Sequence, residues 1–583
     1  MITQFIDRIK RASGNQKDLA QVYSWIGALE QEEWQNIHKA GITNWTQKFV
    51  QQAKKSPDAT VIIESESGKH TTYGELDRLS LKIAECIEAQ TEDKYIGVYD
   101  SNSAQLIAAI IGLNRAGRTA VLFNTLDPVE RVTALAQSCQ VKLVIGRSVP
   151  GLTTVAVEPM LKGALDHSEE SVDTTTISAK FEPSEASLSD PAFVIFTSGT
   201  SGTSKPALFS HRRMLGAGIA WSIRTAMSES DRCYICLPLC HGNGLAMAFS
   251  SVVTAGACAV IRERFSVSRF WDDINQNSCT HMVYIGELWR YLINRSLGDN
   301  QNSALRVIFG NGLSRPIWSQ VIERFGIEHI VEHYGATEMP ASALTNWTGR
   351  PGSCGFIPPG HVDHDGVMMV DEEMRPAKPD IPSEILLKVP DGIIYRGYLL
   401  PNANKAKVVT LNDGQSWWRS GDLLTRDQDG YFYFHERLGD NFRFKGENIS
   451  ATEVEKAILD SAEVTEACVY GVRMPNFDGS LGMASILPTK RDLPEGSLDN
   501  MLEHILASLK RTLATHAIPH LVRITREPHQ VTTTLKIVKS QLKETGIELW
   551  SRDPHFALIQ GRYTRIDRIL FAQLMSGESK VGF

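Results

Sequence analysis

Phe193-Val-Ile-Phe-Thr-Ser-Gly-Thr-Ser-Gly-Thr-Ser-Lys-Pro206 decides the fold. Ala192 to Phe196 is an apolar run of strand length. It enters a loop made only of Thr, Ser and Gly, which ends at Lys205. Glycine lets a backbone approach a ligand closely and adopt positive φ. Successive N–H groups and hydroxyls then form a concave anion site, to which Lys205 adds a positive charge. A flexible surface turn is the bland alternative. The loop is not a Walker A motif, because that motif has another Gly spacing and places Ser or Thr directly after its Lys, where Pro206 stands here.

The same grammar recurs along the chain. Arg306 to Phe309 leads into Gly310, Asn311, Gly312 and Leu313. Ile327 to Val331 leads into Glu332-His-Tyr-Gly-Ala-Thr-Glu338, and Tyr234 to Leu239 leads into Cys240, His241, Gly242, Asn243 and Gly244. Between about 57 and 435, short apolar runs alternate with helical periodicity, which is the pattern of parallel sheets with crossover helices. Ligands in such sheets sit beyond the carboxyl ends of the strands. Several polar, Gly-containing exits therefore imply one shared cleft. Tyr334 offers a flat face for a purine, Thr337 a hydroxyl for a phosphate, and Glu338 a hard oxygen for Mg²⁺. In Trp418-Arg-Ser-Gly-Asp-Leu423, Asp422 follows a tight Gly turn and is suited to accept two ribose hydroxyls. Singly, each has an ordinary reading: a core tyrosine, a surface charge, a turn-forming aspartate. Their co-occurrence carries the argument.

The rest of the sequence bounds the class. At 583 residues the chain has room for roughly four core units. A formal charge of −7 argues against a nucleic-acid binder, which would carry a basic stripe. No run reaches the ~20 apolar residues of a membrane-spanning helix, since the nearest, Leu106 to Phe123, contains Asn114, Arg115 and Arg118. The N-terminus lacks the features of a secretory signal. Nine scattered cysteines in so large a chain do not suggest a disulfide framework, so the cytoplasm is the expected location. Cys233, Cys236, Cys240 and His241 could space a metal site, but their apolar neighbours favour buried core thiols.

Residues 1–56 read as a helical N-terminal extension on the surface, and 165–190 as a solvated connector. Near 431 the texture changes. Tyr431 to Phe434 and Asn441 to Lys445 each alternate with period two and read as paired strands around a tight turn at Arg437-Leu-Gly-Asp440. Ser450 to Glu453 reads as a capping box opening a helix. Strands at Ala467 to Val472 and His520 to Ile524, with a helix at Asn500 to Leu513, complete a compact α+β domain. Val531-Thr-Thr-Thr-Leu-Lys536 ends on a lysine after a hydroxyl-rich loop.

FTSGTSGTSKP, HYGATE, WRSGD, ERLGDNFRFKGENIS and the terminal TTTLK resemble, in order, the core motifs of the adenylate-forming superfamily of acyl-CoA synthetases, luciferases and peptide-synthetase adenylation domains. FGNGL followed by RPIW, GDNFRFKGENIS and VYGVRMPNFDGSLGMAS are similar to the fatty-acid transport protein / very-long-chain acyl-CoA synthetase branch. The resemblance spans roughly 57 to 570. It implies an α/β fold: a large N-terminal domain of two layered α/β subdomains plus a small β-barrel, with a smaller mobile α+β C-terminal domain. The boundaries it implies here are 57–437 for the AMP-binding domain, 438–440 for the hinge and 441–583 for the mobile domain.

The implied activity is an ATP-dependent acyl-CoA ligase. A carboxylic acid, fatty or similarly apolar, is activated as an acyl-adenylate with MgATP and passed to coenzyme A. Loading of an acyl-carrier protein, and a non-catalytic fatty-acid carrier or scaffold, are the alternatives; oligomeric state is left open. By resemblance, Thr197, Ser198, Gly199, Thr200, Ser201, Gly202, Thr203 and Lys205 hold the β- and γ-phosphates. Thr337 contacts the α-phosphate and Glu338 the Mg²⁺. Gly310, Asn311, Gly312, Tyr334 and Gly335 frame adenine, while Asp422 holds the ribose with Arg437 assisting. Lys536 bridges the carboxylate and α-phosphate, and His241 gates the acid pocket. The implied hinge residue is Gly439, for which a simple turn residue is the alternative. Rotation about it would withdraw Lys536 and bring Lys445 to Asn448 to the cleft, where Gly446 lets pantetheine pass. One departure stands out: the superfamily has Gly directly before the lysine, and here it is Leu535. The transport-protein branch also often opens with a membrane anchor that this N-terminus does not resemble, so a transport role is not expected.

Overall fold

The computed structural model describes residues 2–12, 15–157, 186–197, 205–294, 303–340, 344–361, 366–371, 373–390, 397–411, 414–438, 442–444, 447–474, 480–491, 495–531, 537–548, 552–579 and 581–582. Two largely parallel sheets carry the first two-thirds of the chain. The first runs in the order Leu344–Asn346, His329–Tyr334, Val307–Asn311, His281–Ile285, Arg232–Ile235, Cys258–Ile261, Thr60–Glu64 and Lys69–Thr72, antiparallel only at its two edges. The second orders Thr153–Val155, Leu143–Gly146, Tyr95–Tyr99, Thr119–Leu122, Pro191–Thr197 and Lys205–Ser210, with the last pair antiparallel. Helices cover such sheets on both faces, so their central strands are continuously apolar. Cys258–Ile261 is buried throughout.

The apolar run near residue 106 is a core helix. Ala104–Arg115 buries all its residues but Gln105. Its polar members are matched. Asn114 donates to the carbonyls of Arg118 (3.0 Å) and Ala192 (2.8 Å) and accepts from the Trp45 indole at 2.7 Å. Arg115 pairs with Asp77.

Trp45 belongs to the N-terminal segment, whose expected surface position is corrected by the structure. Helices α1 (Ile2–Ala12), α2 (Gln16–Lys39) and α3 (Trp45–Lys55) do form. They also bury Phe5, Ile6, Ile9, Leu19, Val22, Ile26, Ile37 and Phe49 in the same core as the first parallel sheet. Apolar positions spaced three and four apart, as in Leu19, Val22 and Ile26, put one stripe on the body of the domain.

A third, antiparallel sheet of six strands stands where the resemblance implies a small barrel. It orders Gly355–Phe356, Tyr431–Arg437, Ser416–Arg426, Ser383–Lys388 and Val367–Val370, with Val408–Thr410 also on Ser416–Arg426. Among the described residues the expected pairing of 431–434 with 441–445 is not found. Tyr431–Arg437 pairs with Ser416–Arg426, whereas Phe442–Phe444 pairs with Glu447–Ile449. The reason lies in the two cores. Phe432 packs into the third sheet, while Phe442 and Phe444 pack into the last domain. That domain has its own core and a sheet ordered Val464–Val472, Leu481–Pro488, Leu521–Ile524, His555–Ile559 and Arg562–Arg565. Ser450 caps Ala451–Leu459 by accepting from the Glu453 amide at 3.1 Å, the first half of the expected capping box.

Candidate active site

The carboxyl ends of both parallel sheets open into one cleft of about 3710 Å³, closed on its other side by residues of the C-terminal domain. Thr197, Lys205, His241, Asn311, Gly312, Tyr334, Gly335, Thr337, Glu338 and Asp422 all line it. Residues more than two hundred positions apart in the chain are thereby gathered. Ser198, Gly199, Thr200, Ser201, Gly202, Thr203, Gly439, Gly446 and Lys536 lie outside the described residues. The residues flanking the lysine loop, Val531 and Ile537, bridge each other antiparallel.

Asp422 does not sit in a turn. It lies within the long strand Ser416–Arg426, just after Gly421 at φ +74°, where the register with Ser383–Lys388 is irregular between Arg419 and Leu423. A glycine with positive φ is what such a bulge requires. The Gly421 N–H donates to Glu384 (3.0 Å), and the Asp422 N–H to the Ser420 hydroxyl (3.0 Å). The Asp422 carboxylate accepts from the Tyr334 hydroxyl at 2.7 Å, and burial beside it pushes the phenol well up. The ring of Tyr334 is itself buried, with Phe434 lying roughly parallel at 6.4 Å. Arg437 stands opposite Asp422 in the strand register.

His333 and Tyr334 complete a strand that continues past the expected end at Val331. The following loop is held from outside. The Arg213 guanidinium donates to the carbonyls of Thr337 and of Ala336, the latter at 3.4 Å. Glu338 accepts from the Tyr398 hydroxyl at 2.6 Å, and the Lys205 ammonium lies 5.8 Å from the same ring. Tyr398 reaches this position because it bridges Ala207, and Leu399 donates to the Pro206 carbonyl at 2.8 Å. Arg213 and Tyr398 escaped the sequence reading because neither sits in a strand exit or a Gly-rich motif.

Gly310 does not line the cleft. A side chain there would overlap the Tyr284 carbonyl oxygen, so close backbone approach explains the glycine. Beside it, Glu332 is a further residue the sequence did not single out. Its buried carboxyl accepts from the Leu313 amide (3.1 Å) and the Tyr284 hydroxyl, and burial pushes its pKa up to about 8. Asn311 accepts from Asn243 at 2.9 Å. Asn243, within the exit expected to run as a loop from Cys240 to Gly244, opens a π-helix, Asn243–Phe249. Such turns are rare and cluster at functional sites. His241 precedes it, with Nε2 3.4 Å from the Asn124 amide; burial lowers its pKa to about 4, so its ring is neutral at pH 7. Cys233 and Cys236 are buried, and burial pushes the Cys236 thiol up to about 12. Among the described residues no three His, Cys, Asp or Glu side chains are grouped to hold a metal ion.

The comparisons with known proteins agree with this geometry. The model of the AMP-binding enzyme family matches residues 49–399, and that of the AMP-binding enzyme C-terminal domain matches 453–534. The long-chain fatty acid transport protein 1 of Mus musculus is 30% identical over 567 residues, covering 90% of this chain and 86% of that one. The medium/long-chain-fatty-acid–CoA ligase FadD6 of Mycobacterium tuberculosis is 32% identical over 486 residues, covering 79% of each. Among solved structures, the o-succinylbenzoate coenzyme A synthetase of Bacillus subtilis in complex with AMP shares the fold, with a TM-score of 0.69 at 22% identity over 86% of this chain and 98% of that one. Family match, fold and a cleft built from strand exits agree: the chain belongs to the AMP-binding enzyme family.

Proposed function

We propose that the chain is an AMP-forming acid–thiol ligase. In the first half-reaction a carboxylate oxygen of the acid attacks the α-phosphorus of ATP. The new O–P bond gives the acyl-adenylate, and pyrophosphate leaves. In the second, the thiol sulfur of coenzyme A attacks the acyl carbon; the thiol proton is lost and AMP departs. The names of the relatives, a fatty acid transport protein and a fatty-acid–CoA ligase, favour an apolar acid. The observation that carries the reading is the gathering of Asn311, Tyr334, Thr337, Glu338 and Asp422 around one cleft in a member of this family.

Such chemistry needs positioning and charge neutralisation more than covalent catalysis. The loop from Thr197 to Lys205 holds the outer phosphates, and Asn311 and Gly312 with Tyr334 and Gly335 frame adenine, Gly310 serving the close strand packing behind them. Asp422 takes the ribose, with Arg437 assisting. Thr337 contacts the α-phosphate, and Lys536 bridges it to the incoming carboxylate. His241, uncharged, gates the acid pocket. Glu338 suits Mg²⁺: its carboxylate is a hard oxygen donor in the cleft, and the ion neutralises charge on phosphate oxygens when bound. A first domain that includes α1 to α3 and runs to 437, a second of 441–583 and a hinge at 438–440 let Lys536 withdraw and Gly446 approach between the half-reactions.

The test is pyrophosphate release from ATP across a panel of carboxylic acids, followed by a search for free thioester on adding coenzyme A. Acid-dependent pyrophosphate with thioester is the expected result. Pyrophosphate without thioester would point to a carrier-protein acceptor. No acid-dependent release would point to a non-catalytic binder.

A further inference from the structure

The backbone of Tyr398 is held from two sides. On one, it bridges Ala207 antiparallel, two residues past Lys205. The flanking residues extend that pairing: the Leu208 N–H donates to the Gly397 carbonyl at 2.9 Å, and the Leu399 N–H to the Pro206 carbonyl at 2.8 Å. On the other side a single side chain clasps it. The Tyr398 N–H donates to Asn404 Oδ1 at 2.7 Å, and the Tyr398 carbonyl accepts from Asn404 Nδ2 at 2.8 Å. Asn404 belongs to the short helix Pro401–Lys405. Tyr398 is buried, and its side-chain partner supplies what a buried backbone N–H and C=O require.

The locked backbone aims the ring. The phenol hydroxyl donates to Glu338 Oε1 at 2.6 Å, the length of a hydrogen bond to an ionised carboxylate. The Lys205 ammonium lies 5.8 Å from the ring centre, close enough to be attracted to its face. Lys205, Glu338 and Tyr398 all line the cleft. Tyr398 therefore stands between the cation that ends the Thr/Ser/Gly loop and the carboxylate that follows Thr337. Arg213 holds the backbone of the Thr337 loop, and Tyr398 holds the side chain at its end.

Resting on the acid–thiol ligase reading, in which Glu338 binds Mg²⁺ and Lys205 the outer phosphates, we propose that Tyr398 is a positioning residue for the metal–triphosphate site, with Asn404 as its support. Mg²⁺ demands near-ideal octahedral geometry and is held by one or two carboxylates together with substrate phosphates. A carboxylate that turns freely meets that demand in few of its orientations. The Tyr398 hydroxyl fixes Oε1 and so sets the direction of Oε2. It donates to the carboxylate without neutralising it, so the charge that attracts the cation is kept. Because the same residue pairs with Ala207, the exit of the phosphate loop and the metal carboxylate are placed relative to each other.

The experiment titrates ATP into the full-length protein by calorimetry, with no acid present, once in MgCl₂ and once in EDTA. The unaltered protein is expected to bind ATP more tightly in MgCl₂. In Tyr398→Phe the Kd in MgCl₂ is expected to rise about tenfold, the lower end of what losing a hydrogen bond behind a metal ligand costs. The Kd in EDTA is expected to stay that of the unaltered protein, whereas a merely structural defect would weaken both. Asn404→Ala keeps the hydroxyl but removes the clasp behind it; a change in the same direction is expected, and this variant decides should Tyr398→Phe fail to fold. An unchanged Kd in MgCl₂, or an equal loss in both media, overturns the assignment. So does tighter binding in MgCl₂, which would mean that the hydroxyl competes with the ion. If the unaltered protein binds ATP no better in MgCl₂ than in EDTA, the reading on which the proposal rests falls, a distinguishable result.

Discussion

Tyr334 and Asp422 come from different sheets, and their hydrogen bond orients the carboxylate proposed to receive the ribose. A hydrogen bond to a charged group contributes about 1.5–3 kcal/mol. Tyr334→Phe is therefore expected to raise KM for ATP about tenfold or more, with a smaller change in KM for the acid. Steady-state kinetics with each substrate varied in turn checks this; equal effects on both would remove the specific role. Lys536→Ala is expected to cut acid-dependent pyrophosphate release by ~10²-fold or more, as loss of a transition-state contact does. Thioester formation from supplied acyl-adenylate should persist, because the lysine is proposed to withdraw before that step. Unchanged pyrophosphate release would take Lys536 out of the mechanism.

Among the elements, the strand Val307–Asn311 passes so close to its neighbour that Gly310 cannot carry a side chain. Gly310→Ala forces two paired strands apart, and overpacking of this kind costs about 1–3 kcal/mol. A lowered midpoint in chemical denaturation is expected, together with weaker ATP binding, since Asn311 and Gly312 follow directly in the cleft. Strand exits were legible because a buried parallel strand must be apolar and its exit must be polar and small. The pairing partner was less legible. Tyr431 to Phe434 and Asn441 to Lys445 each read as period-two strands, but that period does not say which sheet a strand joins, and Tyr431 and Phe432 are both buried, in two different cores. The π-helix after Gly242 had no signal at all, because its residues suit an ordinary helix or a core loop equally well.

At the scale of the molecule, burial of ionisable groups makes stability depend on pH in two opposite directions. Burial lowers the pKa of His211, His241, His329 and His333 to about 4. Unfolded histidines take protons near 6.5, so stability is expected to fall as pH drops from about 6.5 to 4. Glu332 acts the other way. Its folded pKa near 8 lies above the unfolded value, so its contribution is full below about 4.5 and is lost as pH rises to 8. Four histidines outweigh one carboxyl, and the acid limb should dominate. Denaturation midpoints across this range check the sign, and Glu332→Gln should steepen the acid limb below about pH 6.5 and remove the fall in midpoint between about 6.5 and 8. A midpoint independent of pH below 6.5 would show that the histidines gain protons equally in both states.

The sequence by itself determined the order of strands and loops, the chemistry at each exit, and the family resemblance that orders them. Those are local properties: hydrophobic period, turn residues and hydroxyl-rich loops are set by neighbours in the chain. Only the tertiary structure decided that α1 to α3 belong to the main core, and that Tyr398 and Arg213 brace the Glu338 loop. Each of these is a contact between segments far apart in the chain. Such contacts depend on how sheets and helices stack, and no local pattern encodes which distant side chain will fill a given space.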